Sequence, residues 1–252
     1  MSSRPAAIPL AMFAAAVFLA ACVDIPTGAN DVLSIELNGL PAPSVVVGDT
    51  LRDSAGVVSP IRITAFNFSG QVVAAPPVRF SALDRGVRVD SATGIVLGDS
   101  VRSSARIVAT LKGLTTTAQL AVTLRPDTVL VSNGRDSLSY SLTDTAANVS
   151  PALSIRVLHG RASGDSSVAS YFVSFRILNP QTAGLAQLVD DGGRLSTADT
   201  TDAGGIASRK VKIDPTRLAS LVDSVIVSAT VRYRGSNVKG SPVRLVLKVK
   251  PK

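Results

Sequence analysis

The sequence predicts an all-β protein that is built from two tandem β-sandwiches. Seventeen of the 18 acidic residues are Asp, while Val, Ser and Thr are abundant and Trp is absent, a composition that favours strands and turns over helices. Short segments of alternating apolar and polar residues recur at spacings of about 8 to 12 residues, as in β-sandwiches. The length of 252 residues suits two domains of about 100 to 125 residues each.

Residues 32–125 form the first predicted domain. Eight of its segments alternate in polarity or are rich in β-branched residues, and Gly, Pro and Asp separate one segment from the next. We expect strands at residues 33–37, 44–47, 61–66, 78–80, 87–89, 95–97, 105–111 and 116–124.

Residues 126–252 form the second predicted domain, because Arg125-Pro126-Asp127 interrupts the pattern and the same alternation then restarts. Asn133-Gly134 is typical of a tight hairpin turn. Residues 216–222 are the one stretch that could form a helical turn. We expect strands at residues 128–131, 138–142, 153–158, 171–178, 207–213, 225–233 and 243–249.

The N-terminus has the pattern of an export signal. Arg4 precedes an apolar stretch at residues 8–20, which is too short to cross a bilayer as a permanent helix. The run Leu19-Ala20-Ala21-Cys22 resembles the bacterial lipobox and contains the only cysteine of the chain, so no disulfide can form within it. The alternatives are an ordinary signal peptide or a free buried thiol.

The lipobox resemblance implies that residues 1–21 are a signal peptide, that diacylglycerol is attached to Cys22, and that residues 22–31 are a lipidated tether. Several acyl chains would give stable anchoring, since a single chain holds a protein only marginally. In the enterobacterial sorting pattern, Asp directly after the lipidated cysteine retains a lipoprotein in the inner membrane. Val23 takes that place here, so we expect a cell-envelope protein of the outer membrane.

Several segments carry a family resemblance. Residues 45–51, 78–81, 89–94 and 105–122 look like bacterial immunoglobulin-like (Ig-like) domains of the second group. Residues 173–177, 201–207 and 225–230 resemble the invasin and intimin type, and Thr201-Asp202-Ala203-Gly204-Gly205 is the most specific piece. The resemblance implies two tandem Ig-like sandwiches in an envelope or surface context, and it implies no catalytic residue.

The chain offers little that predicts catalysis. His159 is the only histidine, so a transition-metal site or a histidine-based nucleophilic site would lack ligands or partners. No serine lies in a Gly-x-Ser-x-Gly elbow. We therefore expect neither an enzyme nor a cofactor.

Four aspartates form a weak calcium candidate. They lie in one Gly-rich stretch and are Asp190, Asp191, Asp199 and Asp202. Ca²⁺ prefers such oxygen ligands but needs six to eight of them, and no EF-hand spacing is present. Solvated hairpin turns explain these residues equally well.

The net charge of +8 lies mostly in the second half, where residues 126–252 hold 16 Lys or Arg against 10 Asp. Aromatic residues make up 4% of the chain and do not interleave with a basic block, so nucleic-acid binding is not expected. If the last two strands pair as a hairpin, one face carries five cations, namely Arg232, Arg234, Arg244, Lys248 and Lys250. Such a face could hold lipopolysaccharide or an acidic glycan, or it could serve only solubility and edge protection.

Together these patterns predict a non-catalytic envelope lipoprotein that is held to a membrane by its lipid. Its Ig-like domains would act as a spacer or as an adhesion module. Two alternatives stay open at this point. One is a lipoprotein that binds an anionic polymer, a glycan or calcium, and the other is an accessory subunit that contacts another envelope protein.

Overall fold

The computed structural model describes residues 28–74, 77–144, 148–217 and 223–252. Within these ranges the regular elements are β-strands, apart from a turn of 3-10 helix at Pro215–Arg217, so the predicted all-β class is confirmed. The predicted signal peptide, Cys22 and the tether up to residue 27 lie outside the described residues, as do residues 218–222 of the expected helical turn. No helix in the described ranges is long and apolar enough to cross a membrane.

The N-terminal half, which we define as the described residues up to Thr123, contains nine strands. They are β1 (Ser34–Leu37), β2 (Ser44–Val46), β3 (Ile63–Phe66), β4 (Val72–Val73), β5 (Arg79–Ala82), β6 (Val87–Val89), β7 (Val96–Gly98), β8 (Arg102–Leu111) and β9 (Leu114–Thr123). All eight predicted segments contain a strand, and β4, with two residues, was too short to predict.

These strands form a sheet in the order β2-β9-β8-β5, a second sheet in the order β1-β3-β4 and the hairpin β6-β7. Apolar side chains fill a main core, in which Leu51, Ile61 and Val96 are fully buried, and a smaller cluster of Val32, Ala65 and Leu111. Strand β2 runs parallel to β9, while the other pairings within these sheets are antiparallel. The alternation read from the sequence is therefore the alternation between this core and solvent.

The C-terminal half, which we define as the described residues from Thr128 onward, contains twelve strands. They are β10 (Thr128–Asn133), β11 (Arg135–Tyr140), β12 (Leu153–His159), β13 (Ser166–Ser167), β14 (Phe172–Asn179), β15 (Ala186–Val189), β16 (Ala198–Thr200), β17 (Ile206–Ile213), β18 (Ser224–Thr230), β19 (Arg232–Tyr233), β20 (Ser236–Asn237) and β21 (Val243–Pro251). All seven predicted segments contain a strand, and the unpredicted ones are short.

Two sheets face each other across the core of this half. One has the order β10-β12-β17-β15, and the other has the order β11-β21-β18-β14-β16. Ile155 of the first sheet and Leu247 of the second are both fully buried in a core that is separate from that of the N-terminal half. Strands β10, β12, β17 and β15 take the places of strands A, B, E and D of an Ig-like sandwich, and β21, β18 and β14 take those of G, F and C. Strand β11 is added in parallel beside β21.

The structure corrects the expected hairpin turn at Asn133-Gly134. The strands on either side of it belong to different sheets, so the chain crosses here from one sheet to the other. A β-carbon on Gly134 would come within 2.4 Å of Val131 Cγ1, so any other residue at this position would displace the Val131 side chain. Asn133 holds the crossing through its Nδ2 atom, which donates to Ala152 O at 2.9 Å and to Asp136 Oδ2 at 3.0 Å.

The structure also corrects the long strand expected at residues 225–233. Strand β18 ends at Thr230, and Val231 N donates to Ser241 Oγ at 2.8 Å instead of to a strand neighbour. Strands β19 and β20 form a small hairpin of their own, and its two turn residues Arg234 and Gly235 have φ of 50° and 79°. Positive φ at both positions is the mark of a type I′ turn, which closes the two-residue loop of this hairpin.

Removal of core volume in the C-terminal half is expected to be costly. Ile155→Ala empties a fully buried site between the sheets and should lower the free energy of unfolding by about 2–5 kcal/mol. Leu130→Ala on the neighbouring strand is the matched control, because Leu130 is 49% exposed and its loss should change stability by about 0.5 kcal/mol or less. Urea denaturation measures both, and equal losses would contradict the placement of this core.

Candidate binding surface

The outward face of the five-stranded sheet carries a set of cations. Along β21 the odd-numbered residues from Val243 to Val249 are buried, while Arg244, Lys248 and Lys250 are exposed. Because side chains alternate between the two faces of a strand, these three cations share the outward face. Three of the five cations predicted for one face therefore lie there.

Two further cations join this face from neighbouring strands. Ser228 pairs with Arg244 on one side and with Arg176 of β14 on the other, so these three residues form one row across the sheet. Arg135 of β11 pairs with Val246, which places it beside Arg244 and Lys248. We call this set the basic face, and it consists of Arg135, Arg176, Arg244, Lys248 and Lys250.

Sequence reasoning missed Arg135 and Arg176. Arg176 stands at an outward position of a correctly predicted strand, but the sequence does not reveal that β14 lies next to β18. Arg135 belongs to β11, whose parallel pairing with the last strand brings together residues about a hundred positions apart. Strand order, which local patterns do not encode, was the missing information.

No acidic residue occupies an outward position of these strands in the described part of the chain. The remaining outward positions carry hydroxyl, amide or apolar side chains: Ser137, Ser139, Phe172, Ser174, Leu178, Asn179, Ala198, Thr200, Ser224, Ile226, Ser228, Thr230 and Val246. Among the described residues the five cations form no ion pair. The basic face thus keeps its charge available to solvent.

Several cations elsewhere in the described part of the molecule pair with carboxylates, although others, such as Arg79 and Lys239, form no ion pair there. Arg88 Nη2 lies 2.8 Å from Asp99 Oδ1, and Arg106 Nε lies 3.0 Å from Asp84 Oδ2. The hydrogen bonds from the Arg106 side chain and backbone lower the pKa of Asp84 to about 2. The basic face differs from these pairs in that none of its five cations has a carboxylate partner among the described residues.

Arg232 and Arg234, the other two predicted cations, do not lie on the basic face. They belong to the β19-β20 hairpin and its turn, because the strand break after Thr230 redirects the chain. Arg232 is exposed. Arg234 instead reaches the N-terminal half, where its Nε donates to Asp49 Oδ2 at 2.9 Å.

Asp49 is a buried carboxylate at the boundary between the two halves, with only 4% of its surface exposed. Its oxygens accept hydrogen bonds from Thr50 N at 2.8 Å, from Arg52 Nε and Nη2 at 3.1 Å each, and from Arg234 Nε. Burial alone would raise the pKa of Asp49, but the bonds from Arg234, Arg52 and Thr50 outweigh it and hold the pKa well below its usual range. We call Asp49, Arg52 and Arg234 the Asp49 junction.

Backbone contacts reinforce the Asp49 junction. A β-carbon on Gly56 would lie 2.0 Å from Gly235 N, so the two halves touch here through main-chain atoms. Thr123 Oγ1, at the end of β9, donates to Ala169 O of the C-terminal half at 2.5 Å. These contacts flank the junction on the same boundary.

The connection between the halves is short and held in place. Leu124 packs against the core of the C-terminal half. Arg125 Nε donates to Asp127 Oδ1 at 2.7 Å, and His159 Nδ1 lies 2.6 Å from Asp127 Oδ2 and 3.0 Å from Arg125 O. Both of these neighbours of Nδ1 are acceptors, so Nδ1 is the donor. His159 therefore fixes the connecting segment, and this role accounts for the only histidine of the chain.

A cleft of about 620 Å³ lies between the halves. Pro41 and Arg52 line it from the N-terminal half, and Phe172, Arg176 and Arg232 line it from the C-terminal half. Tyr171 closes one side, since its hydroxyl donates to Arg232 O at 2.6 Å and its burial raises its pKa well above the usual value. Arg176 thus belongs both to the cleft and to the basic face.

The four aspartates of the weak calcium candidate each serve a local structure. Asp190 Oδ1 accepts from Arg194 N at 2.8 Å, and Asp202 Oδ1 accepts from Ile206 N at 2.9 Å, as in hairpin turns. The other two form the ion pairs Asp191 with Lys210, at 3.0 Å, and Asp199 with Arg209, at 3.1 Å. Over the described ranges, no three acidic, histidine or cysteine side chains are grouped so that they could hold a metal ion.

No family model and no curated protein matches the chain. Among solved structures, it is similar to domains 4 and 5 of the S-layer protein SbsC at 12% identity, with 87% of this chain and 99% of that one covered and a TM-score of 0.31. It is similar to human protocadherin-24 EC1-2 at 12% identity, with 88% and 100% covered and a TM-score of 0.27. Alpha-2-macroglobulin of E. coli gives 11% identity, 91% and 15% covered, and a TM-score of 0.34. Scores this low do not establish a relationship.

Loss of the junction carboxylate should loosen the two halves. In Asp49→Asn the charge that faces Arg52 and Arg234 is gone, and we expect a loss of about 1–3 kcal/mol in the free energy of unfolding. Spin labels attached after Thr117→Cys and Lys212→Cys report the distance between the halves. That distance distribution should be narrow in the parent chain and broad with Asp49→Asn.

Asp84→Asn is the matched control for this measurement. It removes a carboxylate that pairs with Arg102 and Arg106 inside the N-terminal half, away from the boundary. Stability of that half should fall, yet the distance distribution should stay narrow. Broadening of equal size in both variants would contradict the assignment of Asp49 as the residue that joins the halves.

The junction should also tolerate mild acid. Because the pKa of Asp49 lies below the ordinary value of about 3.9, its contribution to stability is present above that pH and is lost as the pH falls through the folded value. We expect the distance distribution to stay narrow from neutral pH down to about pH 4 and to broaden only at more acidic pH. Broadening that is already present at mildly acidic pH would contradict the assignment of Asp49 as the residue that joins the halves.

Proposed function

We propose that the protein is a non-catalytic lipoprotein of the cell envelope, anchored to a membrane through Cys22. In this proposal residues 32–125 and 126–252 are two tandem Ig-like sandwiches of the bacterial type. They act together as a rigid spacer that holds an interaction surface at a distance from the membrane. Residues 22–31 provide the tether between the lipid and the first sandwich.

The Asp49 junction is the observation that carries the spacer role. Domains joined by a polar interface usually move relative to each other, since few contacts oppose the motion. Here a buried carboxylate receives hydrogen bonds from both halves, and the connecting segment is held by Asp127 and His159. A protein that only needed to display two independent modules would not require these contacts.

The anchor rests on the sequence pattern at the N-terminus. The lipobox, the short apolar stretch before it and the single cysteine agree with one another. Val23 after the cysteine supports transport to the outer membrane. The partners in this proposal are the membrane itself and an envelope component that the outer surface recognises.

Cys22→Ser tests the anchor. In cells given a labelled fatty acid, the parent chain should incorporate the label and sediment with the membranes, whereas Cys22→Ser should be unlabelled and remain in the soluble fraction. Ser34→Ala, in the first described strand, is the control and should behave as the parent chain does. Labelled lipid on the Cys22→Ser chain would overturn the proposed attachment site.

Val23→Asp tests the membrane assignment. It places Asp directly after the lipidated cysteine, which in the enterobacterial sorting pattern retains a lipoprotein in the inner membrane. Density-gradient separation of the two membranes should find the parent chain in the outer membrane and the variant in the inner membrane. The same inner-membrane location for both chains would contradict the outer-membrane proposal and leave the anchor intact.

A further inference from the structure

We propose that the basic face binds an extended anionic polysaccharide, with the acidic groups of the polymer paired with Arg135, Arg176, Arg244, Lys248 and Lys250. This inference goes beyond the proposed function, because it names the class of partner and requires neither the lipid nor the membrane. It rests on the strand positions of the five cations, on the hydroxyl-bearing residues between them and on the lack of acidic residues at the outward positions of the described strands.

The position of the cations argues against edge protection as their purpose. Charged residues on an edge strand prevent sheets from pairing edge to edge. In this sheet β11 and β16 are the edges, while Arg244, Lys248 and Lys250 stand on β21 and Arg176 stands on β14, which are interior strands. Only Arg135 stands on an edge strand, so edge protection leaves four of the five cations unexplained.

The sign of the charge argues against solubility alone. Surfaces that only need to be soluble intersperse charges of both signs. The N-terminal half follows this rule, since Arg88 pairs with Asp99 and Arg106 pairs with Asp84. On the outward face of the five-stranded sheet, no position within the described ranges is acidic. A face with one sign of charge attracts an anionic partner and steers it to the surface.

The geometry fits an extended polymer better than a small ligand. Arg244 and Lys248 stand two positions before and after Val246 on one strand, about 7 Å to each side of it. Arg176 lies two strands away from Arg244 in the same row, a distance of about 10 Å between their backbones. The cations are thus spread over a flat area, where repeated acidic groups along one chain can meet several of them at once.

The residues between the cations suit a sugar backbone. Ser137, Ser224, Ser228 and Thr230 present hydroxyl groups that donate and accept hydrogen bonds, as the hydroxyls of a glycan do. Arginine adds planar, two-pronged recognition of carboxylate or sulfate groups. Val246 and Ile226 at the centre are half-buried, so they offer a small apolar area and do not block a polymer that lies across the face.

Two other polyanions fit less well. A lipid surface is held by large apolar side chains that insert beside the charges, and the outward positions here are mostly hydroxyl-bearing. Single-stranded nucleic acid is held by stacking of its bases on exposed aromatic rings, and the one aromatic residue at an outward position is Phe172, which is half-buried in the cleft. Both polyanions serve as comparison ligands in the test.

The experiment measures binding of the full chain, purified in a neutral detergent, to three polysaccharides: heparin, polygalacturonate and uncharged dextran. Heparin carries sulfate and carboxylate groups, while polygalacturonate carries carboxylates only. The parent chain should bind one or both anionic polymers, should not bind dextran, and should weaken steeply as salt rises.

A face variant with Ser at the five cationic positions should lose about tenfold or more in affinity. The charge-matched control replaces five exposed cations elsewhere with Ser: Arg79, Arg85, Arg161, Lys212 and Lys239. That control should stay within about twofold of the parent chain. A milder variant, Arg176→Lys with Arg244→Lys, keeps the charge and should retain most of the affinity, which separates loss of binding from loss of folding.

Three outcomes would overturn the proposal. The first is failure of the parent chain to bind either anionic polymer. The second is an equal loss in the face variant and in the charge-matched control, which would reduce the effect to net charge. The third is tighter binding to anionic lipid vesicles or to single-stranded DNA than to the polysaccharides. Cys22→Ser should bind as the parent does, so failure of the anchor and failure of this site are distinguishable.

Discussion

A single buried carboxylate, that of Asp49, sets the relation between the two halves of the molecule. Removing a charge from water is costly unless hydrogen-bonding partners replace the water, and Asp49 finds them in Thr50 N, Arg52 and Arg234. Arg52 and Thr50 come from the same loop as Asp49, so local structure forms one side of the site. Arg234 comes from the other half, so full compensation requires the two halves to be in contact. The hydrogen bonds that compensate the buried charge of Asp49 therefore also fix the orientation of the two halves.

The surroundings of the junction follow from this constraint. The β19-β20 hairpin leaves the sheet at Val231, and its type I′ turn places Arg234 where it can reach Asp49. Gly56 has no side chain, and this allows the main chain of the hairpin to approach. The hairpin also lines the cleft, through Arg232, Tyr233 and Arg234. Arg176 lines that cleft and also belongs to the basic face, so the cleft between the halves and the basic face share one residue.

Local patterns predicted the strands well and their arrangement poorly. Strand β21 was recognisable because buried Val and Leu alternate with exposed cations over its whole length. Strands β13, β15 and β16, with two to four residues each, are too short to show a period. The break after Thr230 was missed because apolar and polar residues go on alternating through Tyr233, although Val231 N donates to Ser241 Oγ instead of to a neighbouring strand. The bond between Asp49 and Arg234 joins residues 185 positions apart, and no local pattern encodes such a contact.

The Asp49 junction joins the two halves so that they move as one body. Residual dipolar couplings of the backbone amides of the uniformly labelled protein can detect this, since they give the alignment and the order of each half separately. We expect one common alignment tensor with equal magnitude for both halves of the parent chain, and two different tensors for Arg234→Ser. Two tensors of unequal magnitude in the parent chain would mean that the halves reorient independently despite the junction, and would rule out its role in joining them.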